Sequence, residues 1–95
     1  MIIYVDIDGV VCNTKDGQYS EAKPINKNIA KINKRYMAGD IIVYWTARGT
    51  CTGLNWFNLT TKQLKLWGVK YHELRMGKPQ YDIFVEDKCC QIEEL

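Results

Sequence analysis

Two runs of consecutive apolar residues stand out along the chain, and each run ends on a polar side chain. The runs cover 2–6 (IIYVD) and 41–46 (IIVYWT), a pattern typical of parallel strands that are buried on both faces. We expect the first of these strands to be central in a sheet. Between the runs, Pro24 suits the first position of an amphipathic helix, and Gly39 is placed to end that helix.

The second half of the chain continues this alternation of strands and helices. A helix is predicted over 54–67 and a more polar strand, suited to a sheet edge, over 69–74. A fourth strand is predicted over 83–87 (IFVED), followed by a short terminal helix. The alternation favours an α/β fold, with a three-layer Rossmann-like parallel sheet in a single domain spanning 1–95.

Composition supports one globular domain and narrows the class of partner. With 46% hydrophobic residues, a chain of 95 residues can form one core. Thirteen basic residues against eleven acidic ones leave a net charge of +2, too small to indicate nucleic acid or an anionic membrane as the main partner. The four cysteines lack the paired spacing of a zinc site, and no secretory signal precedes the first strand, so we expect reduced thiols in a cytoplasmic protein.

Polar residues recur at the ends of the predicted strands. Six of them lie at such positions: Asp6, Asp8, Thr46, Lys78, Glu86 and Asp87. In an open parallel α/β sheet, ligands bind outside the carboxyl ends of the strands. We therefore expect these residues, which are distant in sequence, to converge on one rim of the sheet.

The acidic residues at this rim would repel one another unless a cation or a proton relieved the repulsion. A divalent ion with oxygen ligands, most simply Mg²⁺, meets this need and keeps coordination positions free for water and a substrate phosphate. The alternative is that Asp6 and Asp8 only cap a turn ahead of Gly9, as aspartates in loops often do.

Four residues could hold the phosphate. The hydroxyl of Thr46 and the backbone N–H groups of the following turn, at Ala47 and Arg48, could bind phosphate oxygens, although a threonine at a strand end is often only structural. Lys78 would neutralise a phosphate and an attacking carboxylate, whereas most lysines are merely solvated. The side chain of Arg48 could contact an anionic part of the substrate or be solvated.

Four segments together resemble a known family. In this order and spacing, "VDIDGVV", "VYWTAR", "GKPQYD" and "IFVEDK" resemble the four motifs of the haloacid dehalogenase superfamily of phosphohydrolases, across nearly the whole chain. The ending of the chain is similar to that of short members associated with capsule or surface-polysaccharide biosynthesis. The resemblance implies a minimal core of about four strands in the order 3-2-1-4.

The resemblance also implies a role for each site residue. Asp6 would be the nucleophile that forms an aspartyl-phosphate and would bind Mg²⁺ through its other oxygen. Asp8 would protonate the leaving alcohol and then deprotonate the hydrolytic water, while its backbone carbonyl ligates the metal. Thr46 and Lys78 would hold the phosphate.

The metal ligands include one departure from the family pattern. Asp87 would be the remaining acidic ligand to Mg²⁺. Glu86 stands where the family commonly has a glycine, which leaves open whether Glu86 joins the metal shell.

The intervals between the motifs are too short for the cap domain that many members carry. An open rim suits a large substrate, such as a polymer, a nucleic acid or a lipid-linked sugar, or a site that another subunit closes. The loop 12–23, with Tyr19 near its centre, could act as a small flap. The helix 54–67 is apolar over about half its circumference, so it could form a homo-oligomer interface or pack under the terminal segment.

The sequence thus leads to three functional hypotheses. The first is a Mg²⁺-dependent phosphomonoester hydrolase that acts through an aspartyl-phosphate on a phosphorylated sugar or related metabolite. The second is a nucleotide or polynucleotide phosphatase, and the third is a phospho-accepting signalling domain of the receiver type. The position of Asp6 within an early acidic pair favours a hydrolase over a receiver.

Overall fold

A computed structural model describes all residues, 1–95, and shows a small α/β protein. Short 3-10 helices at Tyr19–Glu21 and Ile92–Glu94 accompany the regular elements. In chain order these elements are β1 (Ile2–Val5), β2 (Cys12–Asn13), β3 (Lys23–Pro24), α1 (Asn26–Met37), β4 (Ile41–Trp45), α2 (Phe57–Leu66) and β5 (Glu73–Arg75).

A three-stranded parallel sheet with the order β1-β4-β5 forms the centre of the protein. Ile2 of β1 lies opposite Ile41 of β4, and Val43 of β4 lies opposite Glu73 of β5. The middle of β4 is buried, as its uninterrupted apolar run predicts. The expectation that β1 is a central strand is wrong, because β4 is central and the other edge of β1 has no partner.

The predicted fourth strand over 83–87 does not form. No backbone hydrogen bond joins this segment to β1, and the side chains of Ile83 and Val85 are 81% and 92% exposed. The segment ends in a turn in which the Lys88 N–H donates to the side chain of Glu86. An apolar, β-branched run supplies strand propensity, but a strand also needs a paired neighbour, and none is present here.

The helix α1 packs its apolar stripe onto the sheet and ends as expected. Ile29 and Ile32 are buried in the core, and Gly39, at φ +100°, ends the helix. The predicted start at Pro24 is wrong, since Pro24 belongs to β3 and lies opposite Cys12. The next N–H, that of Ile25, donates to the Val11 carbonyl, which keeps the chain extended before the helix begins.

The helix α2 is shorter than the predicted 54–67. The side chain of Asn55 accepts the N–H of Phe57, so a turn occupies the expected first residues. Leu66 is 82% exposed and is not covered by the terminal segment. An oligomer interface on this helix stays a prediction. Neither helix is long and apolar enough to cross a bilayer.

The last predicted strand also begins later than expected. The Val69 N–H donates to the Leu64 carbonyl and so still belongs to the end of α2, which delays β5 to Glu73. His72, just before β5, stacks on Tyr36 and accepts the Ile42 N–H through Nδ1, a structural role away from the rim.

Candidate functional site

Asp6 follows β1 directly and faces Lys78 at the carboxyl end of the sheet. Lys78 Nζ lies 3.6 Å from Asp6 Oδ2, and the Ile7 N–H donates to Asp6 Oδ1 at 2.9 Å. The Asp6 side chain is 41% exposed, so a ligand can reach it. Asp6 and Lys78 line a cavity of about 230 Å³, and its other walls are Ala47, Pro79, Gln80 and Tyr81.

Backbone hydrogen bonds from the end of β4 place Lys78 at this rim. The Lys78 N–H donates to the Thr46 carbonyl at 3.0 Å, and the Thr50 hydroxyl donates to the Lys78 carbonyl at 2.7 Å. Thr46 is tied in turn to β5, because its N–H donates to the Arg75 carbonyl. The structure therefore brings together four of the residues that the sequence assigned to the site, namely Asp6, Thr46, Ala47 and Lys78.

The Thr46 side chain is buried at the end of β4 and is held by the following turn. Its hydroxyl oxygen accepts the Arg48 N–H at 3.2 Å. The hydroxyl proton is donated to no protein atom, but Thr46 is only 1% exposed and does not line the cavity. Thr46 thus shapes the turn that carries Ala47 and Arg48.

Arg48 makes contacts that the sequence did not indicate, because its side chain is completely buried. Nε donates to Asp8 Oδ2 at 3.0 Å and one Nη to Asp8 Oδ1 at 2.9 Å, which forms a bidentate ion pair. The Tyr19 ring lies 4.8 Å from the guanidinium carbon. Both expectations for Arg48, a substrate contact or plain solvation, are therefore wrong, because protein groups already surround its charge.

This ion pair determines the charge state of Asp8. Burial acts to raise the pKa of Asp8, but hydrogen bonds from Arg48 and Thr14 and the charge of Arg48 outweigh it, so the pKa lies below its ordinary value of 3.8. Asp8 is therefore ionised at neutral pH. Burial raises the pKa of the neighbouring Cys12 thiol, which stays protonated and donates to Asp8 Oδ1 at 3.5 Å.

The predicted acidic metal ligands do not all come together. Histidine, cysteine, aspartate and glutamate side chains form no group of three or more of the kind that holds a metal ion. Asp87 makes no hydrogen bond or ion pair, and Glu86 bonds only to its own turn. Two of the predicted oxygen ligands do fit a hard cation, because the Asp6 carboxylate is accessible and the Asp8 carbonyl accepts no hydrogen bond.

The loop 12–23 is attached to the rest of the site rather than extended into solvent. The pairing of β2 with β3 closes it, and Gln63 Nε2 donates to the Tyr19 carbonyl. The Thr14 hydroxyl donates to Asp8, so this loop reaches the site directly. Next to Thr14 lies an open groove of about 630 Å³ with a wholly polar lining of Asn13, Thr14, Lys15, Gln18, Ser20, Glu21 and Lys23.

Sequence reasoning missed four residues of the site, namely Cys12, Thr14, Thr60 and Gln63. Cys12 and Thr14 lie four and six residues after Asp8, so their nearness in sequence was a signal that could have been used. Thr60 and Gln63 carried a weaker signal: both are polar residues on the face of α2 that also carries the buried Leu64. Polar side chains on a buried helix face need partners, and here the partner is Arg48.

The turn that carries Ala47 and Arg48 requires glycine at position 49. Gly49 has φ +83°, and a Cβ there would collide with the Leu54 carbonyl oxygen. We expect Gly49→Ala to lower the free energy of unfolding by about 2–4 kcal/mol, from backbone strain and the collision together. Thermal unfolding measures this loss.

Gly53 in the same loop provides the matched control. Its φ is +75°, but nothing lies within 4 Å of its added Cβ. Gly53→Ala should therefore cost only the strain of the left-handed conformation, about 1–2 kcal/mol. Equal losses in the two variants would contradict a tightly packed turn at Gly49.

Comparisons with known proteins support the fold but name no activity. No protein-family model matches the chain, and no curated protein matches it. A target protein from Vibrio cholerae of known crystal structure superposes on it with a TM-score of 0.86 at 25% sequence identity. The match covers 98% of this chain and 85% of that protein, so the likeness extends over the whole α/β unit.

Proposed function

We propose that the chain is a phosphomonoester hydrolase of the haloacid dehalogenase type, with Asp6 as the nucleophile. The observation that carries the proposal is the pairing of Asp6 with Lys78 across an open cavity at the carboxyl ends of parallel strands. A carboxylate beside a fixed cation suits attack on a phosphoryl group, because the cation offsets the charge of both reactants.

The reaction has two steps on the residues of this chain. In the first, an Asp6 oxygen attacks phosphorus, the bond to the leaving oxygen breaks, and that oxygen departs with the electron pair and takes a proton from solvent, because Asp8 is ionised. In the second, water attacks the aspartyl-phosphate and gives a proton to Asp8, which releases inorganic phosphate and regenerates Asp6. Lys78 and the Ala47 N–H stabilise the charge on the phosphoryl oxygens, whereas the Arg48 N–H already donates to the Thr46 hydroxyl.

A magnesium ion fits this proposal in part. Asp6 and the Asp8 carbonyl would hold it, and it would neutralise charge on the phosphoryl oxygens. Asp87 would complete the ligand set if 83–87 paired with the free edge of β1. The sheet would then run β5-β4-β1 followed by 83–87, which is the predicted order 3-2-1-4 of the four strands. Two observations support that pairing: the edge of β1 lacks a partner, and the apolar side chains of Ile83 and Val85 are exposed.

The polar groove favours a sugar phosphate as the substrate. It begins at Thr14, which contacts Asp8, and Asp8 is the residue that faces the leaving group in the proposed reaction. No apolar or aromatic side chain lines it, so hydroxyl groups find hydrogen-bond partners there and a nucleobase finds no stacking surface. Lys15 and Lys23 suit a substrate with a further anionic group.

One observation favours a nucleotide as the second candidate. The Tyr81 ring lies on the other side of the phosphate cavity, 5.5 Å from Lys78 Nζ, and is 43% exposed. An exposed ring beside a phosphate site can stack on a base. A screen of phosphorylated sugars, nucleotides and oligonucleotides with phosphate release as the readout separates the two substrate classes.

The basic test is hydrolysis of p-nitrophenyl phosphate by the purified protein, with Mg²⁺ and with EDTA. We expect steady turnover with Mg²⁺ and its loss with EDTA. A long-lived phosphoprotein after treatment with acetyl phosphate, with no net hydrolysis, would favour a receiver-like domain instead. Absence of both activities would contradict phosphoryl chemistry at Asp6.

The metal assignment gives a separate prediction. Asp87→Asn should raise the Mg²⁺ concentration needed for half-maximal activity about 10-fold or more, because one anionic ligand becomes neutral. Titration of activity with Mg²⁺ measures the change. Glu86→Gln is the matched control, with an expected unchanged titration, and the reverse result would assign the ligand role to Glu86.

A further inference from the structure

Arg48 has no hydrogen-bonding capacity left for a substrate. Its guanidinium carries five N–H donors, and the protein supplies an acceptor for each of them. Two go to Asp8, and the remaining acceptors are the Thr60 hydroxyl at 3.1 Å, the Gln63 carbonyl oxygen at 2.6 Å and Cys12 Sγ at 3.7 Å. A buried guanidinium with every donor paired is held in one geometry, because a change of position would leave a buried charge without partners.

The hydrogen bonds of Arg48 also hold the Asp8 carboxylate in one orientation. Both carboxylate oxygens of Asp8 accept from Arg48, and Oδ1 also accepts from Thr14 and Cys12. Arg48 is itself anchored to α2, a different element from the loop that carries Asp8. The orientation of the Asp8 carboxylate is thus set by a helix about 50 residues away in sequence.

We infer that Arg48 is a positioning residue that orients Asp8 to accept the proton of the water that hydrolyses the aspartyl-phosphate. This inference rests on the proposed function and assigns Arg48 to one of its two steps. Attack by Asp6 on a substrate with a good leaving group needs little proton transfer, whereas hydrolysis of the intermediate needs a base in a defined position. Loss of Arg48 should therefore slow the second step more than the first.

The test uses Arg48→Lys with p-nitrophenyl phosphate in a rapid-mixing experiment. A lysine keeps the charge but cannot make the bidentate pair. We expect a burst of about one equivalent of p-nitrophenolate per active site, followed by a steady rate about 100-fold below that of the wild type. Mass spectrometry of the quenched protein should show phosphate on Asp6.

A second pair of variants guards against failure of Arg48→Lys to fold. Thr60→Val removes one acceptor from Arg48 without touching Asp8, and we expect about fivefold slower hydrolysis of the phosphoprotein. Thr61→Val is the matched control, because the Thr61 hydroxyl bonds only within its own helix, to the Asn58 carbonyl. Its kinetics should equal those of the wild type.

The outcomes separate the inference from the proposed function. A wild-type protein that releases no phosphate removes the function and the inference with it. An active wild type whose folded Arg48→Lys variant shows no burst, with both steps slowed equally or unchanged, overturns the positioning role alone. Equal kinetics for Thr60→Val and Thr61→Val would likewise overturn it.

Discussion

Asp6→Asn should reduce phosphate release by about 10⁴-fold or more, because a neutral amide cannot replace the carboxylate nucleophile. The asparagine side chain has nearly the same shape, so the fold should persist. The lost ion pair with Lys78 is partly exposed and should contribute no more than about 1 kcal/mol to the free energy of unfolding. Turnover of p-nitrophenyl phosphate with Mg²⁺ measures the activity, and circular dichroism with thermal unfolding checks the fold.

Asp16→Asn is a suitable control for this variant. Asp16 is exposed and has φ +48°, a conformation that asparagine tolerates well. Its activity and its stability should match those of the wild type. Turnover near the wild-type rate in Asp6→Asn, in protein whose mass excludes deamidation, would remove Asp6 from the nucleophile role.

Lys78→Met should lower kcat/KM by about 10²–10³-fold. The methionine retains the apolar stem but removes the Nζ charge, which lies 5.5 Å from the centre of the Tyr81 ring and faces Asp6 and the phosphoryl group. Loss of one preorganised charge or donor at a developing negative charge typically costs this much. Steady-state kinetics with p-nitrophenyl phosphate measure the change.

Two further variants sharpen the assignment of Lys78. Lys88→Met removes an exposed lysine from the same terminal region and should leave kcat/KM unchanged. The double variant Asp6→Asn with Lys78→Met should be no slower than Asp6→Asn alone, because residues that act as one unit are not additive. A loss below about threefold in Lys78→Met would place Lys78 outside the reaction.

Two of the parallel strands were predictable because their signal is local. Consecutive β-branched and aromatic residues in β1 and β4 favour buried parallel strands. The structure confirms that both are parallel strands, but only β4 is central and buried, since Ile2 and Tyr4 of β1 are exposed. The meeting of Asp6 with Lys78 was also predictable, since residues at the carboxyl ends of parallel strands share one rim. The predicted position of Asp87 on that rim required a fourth strand over 83–87. That segment pairs with no strand, so Asp87 does not lie beside Asp6 through the sheet.

Errors arose where the decisive contact is remote in sequence. Pro24 satisfies the rules for a helix start, but pairing with Cys12 places it in a strand. Arginine is a residue type that usually lies at the surface. The Arg48 guanidinium is nevertheless buried, because it donates hydrogen bonds to Asp8, Thr60 and Gln63. Whether a charged side chain is solvated or enclosed depends on its partners in space, and residue type does not specify them.

The sequence by itself determined the alternation of strands and helices, and the position of Asp6 and Asp8 after the first strand, because these features depend on periodicity and on neighbouring residues. Only the tertiary structure decided that β1 has a free edge and that the Arg48 side chain is fully buried against Asp8. Each of these depends on long-range packing, in which burial makes an unpaired charge too costly and selects one set of partners.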